Sequence, residues 1–549
     1  YIIIYAYAKI KREMWGGCIN LSVHPRKGQT AGRAWGVCGI ILSQMKIFRE
    51  LLFGHAPALF AAFVAVCVAV LAVWWGGLNQ DEGWYLYAAR LVGEGRLPYR
   101  DFFFTQGPVF PFVYSVMPVH GLLSGRIVTV CFSLAATLMA MAFARRLVSP
   151  ERRGLAGLTV FAMLACNLYH VYFTAIPKTY AVGTLFVMSG FLLLSRGVNF
   201  MAAVSFALAS GTRISLVLIL GVVGIGLLVS RPRNLGWLWF GLGGIIGLFL
   251  VYGAFAFDAQ SLKGLLAAQA YHAGRGGFDA FFAAGSVSRL ARGYLALGAV
   301  MFAACLFGGR DGVACDGGSA IGARRLKWIA GCSFAAVFIL QMSAPFPYDD
   351  YEVPIMPILA ALISAWFAER ADRRAMRWFP VLVSGMCAFA SPLVQDWMTN
   401  GQDRFWSIKK ERSELSQLRD VARRLEALDP DGDMLLTQDT YLAVEMGRRV
   451  PPGMEMGPFS YFPSLSTEEA KALHVLNGEL MERTIESAPC RLAAVSGYGF
   501  AIEVPRGGRT PEEMRQRYVD ALLEKYGRIG VERNFGQNHT TLQVFERKR

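Results

Sequence analysis

Apolar runs alternate with short charged clusters along the first 400 residues. Stretches free of Asp, Glu, Lys and Arg cover 56–75, 127–144, 154–177, 179–195, 197–212, 214–230, 234–257, 293–309, 328–348, 353–368 and 378–395. A membrane span takes about 20 mostly apolar residues, so the pattern predicts about eleven transmembrane helices, several of them short. Arg213 alone divides 197–212 from 214–230, and these two can equally be one interrupted segment. From about residue 400 the pattern becomes that of a soluble domain. It predicts helices over 409–427, 440–447, 467–487 and 511–526, and strands over 434–437, 491–496 and 540–546. Strands alternating with helices predict a small α/β domain.

Composition agrees: 54% of the 549 residues are apolar and 17% charged, against about 25% charged in soluble domains. The formal charge of +15 is read first as membrane topology, with no nucleic-acid partner implied. Loops on the side of the N-terminus hold fifteen Lys and Arg, from Arg145 to Arg377. The opposite, longer loops hold nine, with most of the loop acids. This predicts a cytoplasmic N-terminus and a C-terminal tail outside a bacterial plasma membrane. Residues 1–44 lack periodicity, and the conventional pattern of a basic lead and an apolar span starts at Met45. The expected division is an N-terminal extension outside the fold (1–44), a membrane domain (45–398) and an outer α/β domain (399–549). No CxxC, zinc spacing, GxGxxG or P-loop occurs, which excludes ATP chemistry by those motifs.

The most informative segment is 79–108, NQDEGWYLYAARLVGEGRLPYRDFFFTQGP. It follows the first span and carries adjacent carboxylates, Asp81 and Glu82. Its middle has helical spacing, with Tyr85, Ala88, Ala89 and Val92 on one side, which suits a helix lying in the membrane interface. The pair Asp81–Glu82 reads either as a solvated start to that helix or as a reactive site. Asp101 in PYRD reads either as a turn residue or as a binding group.

A first span ending in Asp-Glu, then Y-x-x-A, a Gly-rich step, LPYRDFFF and Gly-Pro resembles the first outer loop of the GT-C glycosyltransferase superfamily. The likeness is greatest to bacterial members that use polyprenyl-phosphate sugars, such as protein O-mannosyltransferases and the lipid A aminoarabinose transferase. The resemblance implies an α-helical polytopic membrane enzyme. It implies Asp81 as catalytic base, with Glu82 as alternative or supporting neighbour, and Asp101 with Tyr85 shaping the pocket. Inverting transfer needs a carboxylate to take the acceptor proton and cations to balance the lipid phosphate. Lys178 (IPKTYA) and Arg213 (SGTRIS), at the outer mouth, can hold that phosphate or snorkel to headgroups. Arg100 is a nearby candidate for the cation that keeps Asp81 ionised.

The loop 258–292, with His272 and Arg275, implies a mobile cover over donor and acceptor; His272 reads as an ordinary polar loop residue. Tyr348, Asp349 and Asp350 face the same cavity by resemblance. The two carboxylates can bind sugar hydroxyls or a divalent metal, or cap the next helix, and no other cofactor is implied. The stretch 447–466, rich in Pro and Gly, reads as packing the outer domain onto the membrane part. The partners implied are a polyprenyl-phosphate-linked sugar donor, a lipid, glycan or protein acceptor, and the bilayer. The competing readings are a lipid-linked sugar flippase or transporter, a surface-polysaccharide polymerase or ligase, and a membrane-anchored binding protein.

Overall fold

The computed structural model describes residues 55–230, 235–273, 277–307, 322–371, 374–391, 393–394, 412–500, 511–537 and 539–549. Among the described residues, four helices are long and apolar enough to cross a membrane: His55–Trp75, Leu122–Arg146, Gly236–Ala256 and Ala323–Met342. A fifth is added if Ala280–Gly293 and Leu295–Leu306, bent by 72° at their junction, count as one. Phe63, Val66 and Val70 on the first, and Ile245, Phe249 and Leu250 on the third, are exposed. Contiguous apolar surface of this kind suits lipid, not water. Shorter apolar helices, Thr179–Ser195, Asn199–Ser210 and Trp378–Phe389 among them, interlock through a core that includes Phe143, Phe191, Phe206 and Phe240.

One of the expected spans is broken. The run 154–177 is two helices, Arg153–Ala165 and Leu168–Phe173. Between them Asn167 accepts a hydrogen bond from the His170 N–H at 3.1 Å and donates to the Gly293 carbonyl at 3.0 Å. A capping residue inside an apolar run starts a new helix, and hydropathy does not register it. Arg213 does separate two helices, because a 3-10 turn, Ile214–Leu216, precedes the helix Val217–Ser230.

The first loop opens with the helix Gln80–Gly93, started by a capping box in which the Asn79 side chain accepts from the backbone and Glu82 reaches back to Asn79. The expected interfacial helix, with one face in lipid, is corrected here. Trp84 to Ala89 and Leu91 are all buried. The core that takes them in holds Leu122, Val182 and Phe255 of the helical part together with Leu415, Leu418, Tyr441 and Met456 from the C-terminal residues. The close approach needs a glycine: a Cβ on Gly83 would stand 2.2 Å from the Tyr441 nitrogen. At the loop's far end Val109 N–H donates to the Gly211 carbonyl at 2.9 Å, two residues before Arg213. A Cβ on Gly107 would lie 2.2 Å from that same oxygen.

The C-terminal residues form a three-stranded antiparallel sheet, in the order β1-β3-β2, from β1 (Leu492–Val495), β2 (Tyr526–Phe535) and β3 (Thr540–Arg547). The alternating α/β pattern thus resolves into a β-hairpin with a short third strand. The segment 434–437 makes single bridges, Met434 with Arg449 and Leu436 with Ala493, instead of a strand. The expected helix 467–487 divides into Thr467–Ala472 and Gly478–Glu486 around His474, whose φ is 56°. Strand β2 has no sequence expectation. It is an edge strand whose exposed Arg528 and Arg533 obscure the alternation, a common protection for edges.

Polar links fasten the first loop to the C-terminal residues. Leu78 N–H donates to Glu414 at 2.7 Å, Leu122 N–H to Glu445 at 2.9 Å and Val450 N–H to the Tyr87 hydroxyl at 3.0 Å. Glu455 accepts from Gly453 N–H at 2.8 Å and lies 3.8 Å from Arg96. Burial pushes the Glu455 carboxyl up to about 7; backbone N–H groups and the Arg96 charge offset only part of that. The folded chain therefore keeps a proton that the unfolded chain loses near its ordinary value of 4.5. The contribution of this group to stability is present below that pH and is lost as pH rises through about 7. Glu455→Gln should unfold close to the parent temperature near pH 4.5 and progressively above it toward pH 8. The gap should be on the order of 1 kcal/mol per pH unit. A gap independent of pH in thermal-unfolding scans would contradict this.

Candidate active site

Arg126, in the helix Leu122–Arg146, is fully buried, as is Glu82. Its Nε and Nη2 donate to the two Glu82 oxygens at 2.7 and 2.6 Å. Nη1 donates to the Val73 and Gly76 carbonyls and Nη2 to Gly77, all at 3.0 Å. Glu82 also accepts from Asn79 N–H at 3.0 Å. Both oxygens are thus committed to holding the end of the first span against the next helix. The expectation of Glu82 as alternative base is corrected on this ground.

One residue earlier is about 100° around a helix, and Asp81 points elsewhere. Its Oδ2 lies 2.8 Å from Lys178 Nζ, and its Oδ1 accepts from Trp84 Nε1 at 3.1 Å. Lys178, just before the helix Thr179–Ser195, is also 2.9 Å from Asp350 Oδ2, which accepts from the Tyr180 hydroxyl at 2.8 Å. Burial works against ionisation of Asp350, but Lys178 and the Tyr180 hydroxyl overcome it and hold the carboxyl below its ordinary range. Lys178 therefore bridges two carboxylates, a different state from the free phosphate ligand expected of it.

Arg213 lies between two aromatic faces, 5.0 Å from the Tyr180 ring centroid and 4.5 Å from that of Tyr351. Such stacking fixes a guanidinium while leaving its N–H edge available. Arg213 forms no ion pair among the described residues. Tyr85, buried and stacked on Trp84 at 3.8 Å, carries its phenol into the field of Asp81, Lys178 and Arg213. Two carboxylates and two cations thus converge from four separate segments.

Beside this group, Asp349 accepts from the Tyr169 hydroxyl at 2.6 Å and from Arg289 Nε at 2.8 Å. Arg289 belongs to the helix Ala280–Gly293, whose Phe282 packs edge-on against Phe346 and Tyr348 at 5.8 and 5.5 Å. Glu352 is buried with no ion pair among the described residues, and burial pushes it up to about 9, the Arg213 charge opposing.

Asp101 and Arg100 are not part of the cluster. They pair with each other at 3.0 Å, and Asp101 accepts from Leu97 N–H at 2.7 Å, which closes a turn. The cation beside Asp81 is Lys178, not Arg100. The side chain of His272 and all of Arg275 lie outside the described residues. No group of three or more His, Cys, Asp or Glu suited to a metal occurs among the described residues. Tyr180, Tyr169 and Arg126 were missed from sequence. Tyr180 stands within a motif already singled out, IPKTYA, and Tyr351 directly follows Asp350. For Arg126 the only signal is an arginine within an apolar helix.

Removing one partner of a buried ion pair costs about 3–5 kcal/mol. Arg126→Met should therefore lower the unfolding temperature sharply and reduce the folded yield in detergent. Asp81→Asn, which keeps its size and can still accept from Trp84, should stay close to the parent. Equal stability of all three proteins would show that the Arg126–Glu82 pair does not hold the loop.

The chain matches no protein-family model and no curated protein sequence. Among solved structures it is similar to ArnT from Cupriavidus metallidurans in the apo state, with 14% identity, 89% of this chain and 97% of that chain covered, and a TM-score of 0.56. The same protein bound to undecaprenyl phosphate gives 12% identity, 89% and 98% coverage, and a TM-score of 0.52. An oligosaccharyltransferase from Archaeoglobus fulgidus is more distant, with 10% identity, 86% and 73% coverage, and a TM-score of 0.44. The chain thus shares the fold of ArnT over most of its length.

Proposed function

We propose that this chain is a GT-C membrane glycosyltransferase that moves a sugar from a polyprenyl-phosphate donor to an acceptor on the outer face of a bacterial plasma membrane. The carrying observation is the cluster itself: Asp81 held by Lys178 against Asp350, beside Arg213 stacked between Tyr180 and Tyr351. Undecaprenyl phosphate bound to ArnT, which shares the fold, supports a lipid-phosphate donor. In this reading about eleven spans make up the membrane part within 45–398. The N-terminus is cytoplasmic and residues 399–549 form an outer domain above the site.

Asp81 is the general base. Its carboxylate takes the acceptor hydroxyl proton while that oxygen attacks the anomeric carbon from the face opposite the phosphate. The bond from that carbon to the phosphate oxygen breaks with its electron pair, and polyprenyl phosphate leaves with inversion at carbon. Lipid phosphate is already a good leaving group, so the chain supplies charge balance and not a general acid. Arg213 does this through its available N–H edge. Lys178 holds the Asp81 carboxylate in place at 2.8 Å and adds positive charge to the same spot. Tyr85 and Asp350 complete the polar wall.

Release of polyprenyl phosphate from a panel of undecaprenyl-phosphate sugars tests the assignment. Asp81→Asn should lose about 10²-fold or more in kcat, the scale for a general base. Arg213→Ala should lose apparent donor affinity as well as rate. Full turnover in Asp81→Asn would remove it as the base. Absence of release by the parent with every donor, alongside movement of a labelled lipid-linked sugar across vesicles, would replace the transferase reading with a flippase.

A further inference from the structure

One buried side chain joins the two segments that set the place of Arg213. Gln341, 4% exposed, stands at the end of the helix Ala323–Met342. Its amide oxygen accepts at 2.8 Å from the hydroxyl of Ser215, in the 3-10 turn that follows Arg213. Its amide nitrogen donates to the Tyr351 carbonyl at 3.0 Å and to the Glu352 carboxyl at 3.1 Å. These partners fix the orientation of the amide, since the reverse would set oxygen against oxygen. Tyr351, in the turn Asp349–Glu352, is the ring that covers Arg213 at 4.5 Å. A single amide thus spaces the turn beside the guanidinium from the turn that supplies one of its aromatic faces.

Glu352, the second partner of that amide nitrogen, is fully buried. The Arg213 charge acts on it, and the Tyr294 phenol, hydrogen-bonded to His170 at 2.8 Å, lies in its field. The other charges of its turn are matched elsewhere, Asp350 by Lys178 at 2.9 Å and Asp349 by Arg289 at 2.8 Å. Burial favours the neutral form of a carboxyl. Here it outweighs the Arg213 charge and pushes Glu352 up to about 9.

We infer that Gln341 is a positioning residue for Arg213, and that Glu352, on the same amide, controls how much of the Arg213 charge a donor phosphate meets. This role rests on the reading of Arg213 as a phosphate ligand given above. With its proton, Glu352 leaves that charge uncompensated; without it, the carboxylate opposes an incoming anion at close range.

The test measures equilibrium binding of radiolabelled undecaprenyl phosphate to the full chain in detergent, from about pH 8 to about pH 10. A phosphate monoester, with its second pKa at about 6, keeps both charges throughout that window. Burial works against the Lys178 charge, but Asp350 and Asp81 hold it well above its ordinary range, so it stays constant too. One unit above about 9 only about a tenth of the molecules keep the Glu352 proton, so the parent should bind about tenfold more weakly at about pH 10. Glu352→Gln, which has the shape of the neutral carboxyl, should show no such fall. Gln341→Leu should bind about tenfold more weakly at about pH 8, the scale of one lost buried hydrogen bond. Ser215→Ala should change in the same direction, and decides the positioning role if Gln341→Leu does not fold. Infrared difference spectra of the parent against Glu352→Gln at neutral pH should show the band of a protonated carboxyl.

An equal fall with pH in Glu352→Gln, or no such band, would overturn the role of Glu352. Parental affinity in Gln341→Leu and Ser215→Ala would overturn that of Gln341. If Arg213→Ala binds more weakly while these variants follow the parent, the phosphate reading stands and only the present proposal fails. No binding to the parent would remove the phosphate reading and the proposal together.

Discussion

The arrangement depends on the buried fork between Arg126 and Glu82. A single guanidinium collects the last carbonyls of the first span, Val73, Gly76 and Gly77, and the carboxylate that closes the capping box of the next helix. It fixes where the chain leaves the membrane helix and the angle at which the next helix begins. Orphan carbonyls at a helix end need partners, and here one arginine supplies them while also neutralising a buried acid. With Glu82 turned inward, Asp81 faces the cluster of charges.

That cluster works by local charge matching. Lys178 stands between Asp81 and Asp350, 2.8 and 2.9 Å from their carboxylate oxygens. Arg213 is held differently, by the faces of Tyr180 and Tyr351. Its position is therefore set without using up its hydrogen-bond donors. The result is one cation committed to the protein's own acids and one held by aromatic faces. The division follows from side-chain chemistry, because a planar guanidinium can stack and an ammonium forms compact point contacts.

The first loop is a shared layer between the helical part and the C-terminal residues. Its helix is buried nearly all round, and its core residues belong to the same cluster as Leu418, Tyr441 and Met456. Gly83 and Gly107 mark where backbone meets backbone at its two ends. A loop held on both sides keeps Asp81 in register with Lys178, Arg213 and Asp350 from three other segments.

The sequence by itself determined the membrane class, the site of greatest chemical interest and much of the secondary structure, including the helix near 512–525 and the last strand. Hydropathy and capping act over short stretches, so these features can be read locally. The position of Asp81 on the first loop, and of Lys178 and Arg213 at helix starts, was legible for the same reason. Only the tertiary structure decided which of the adjacent acids faces the cluster. Asp81 and Glu82 are chemically near-equivalent, and a 100° step on a helix that a distant arginine orients separates their roles. It likewise decided that Lys178, and not Arg100, stands beside Asp81, and that Asp101 closes a turn. Ion pairing depends on distances between segments up to hundreds of residues apart, and neither composition nor spacing along the chain encodes them.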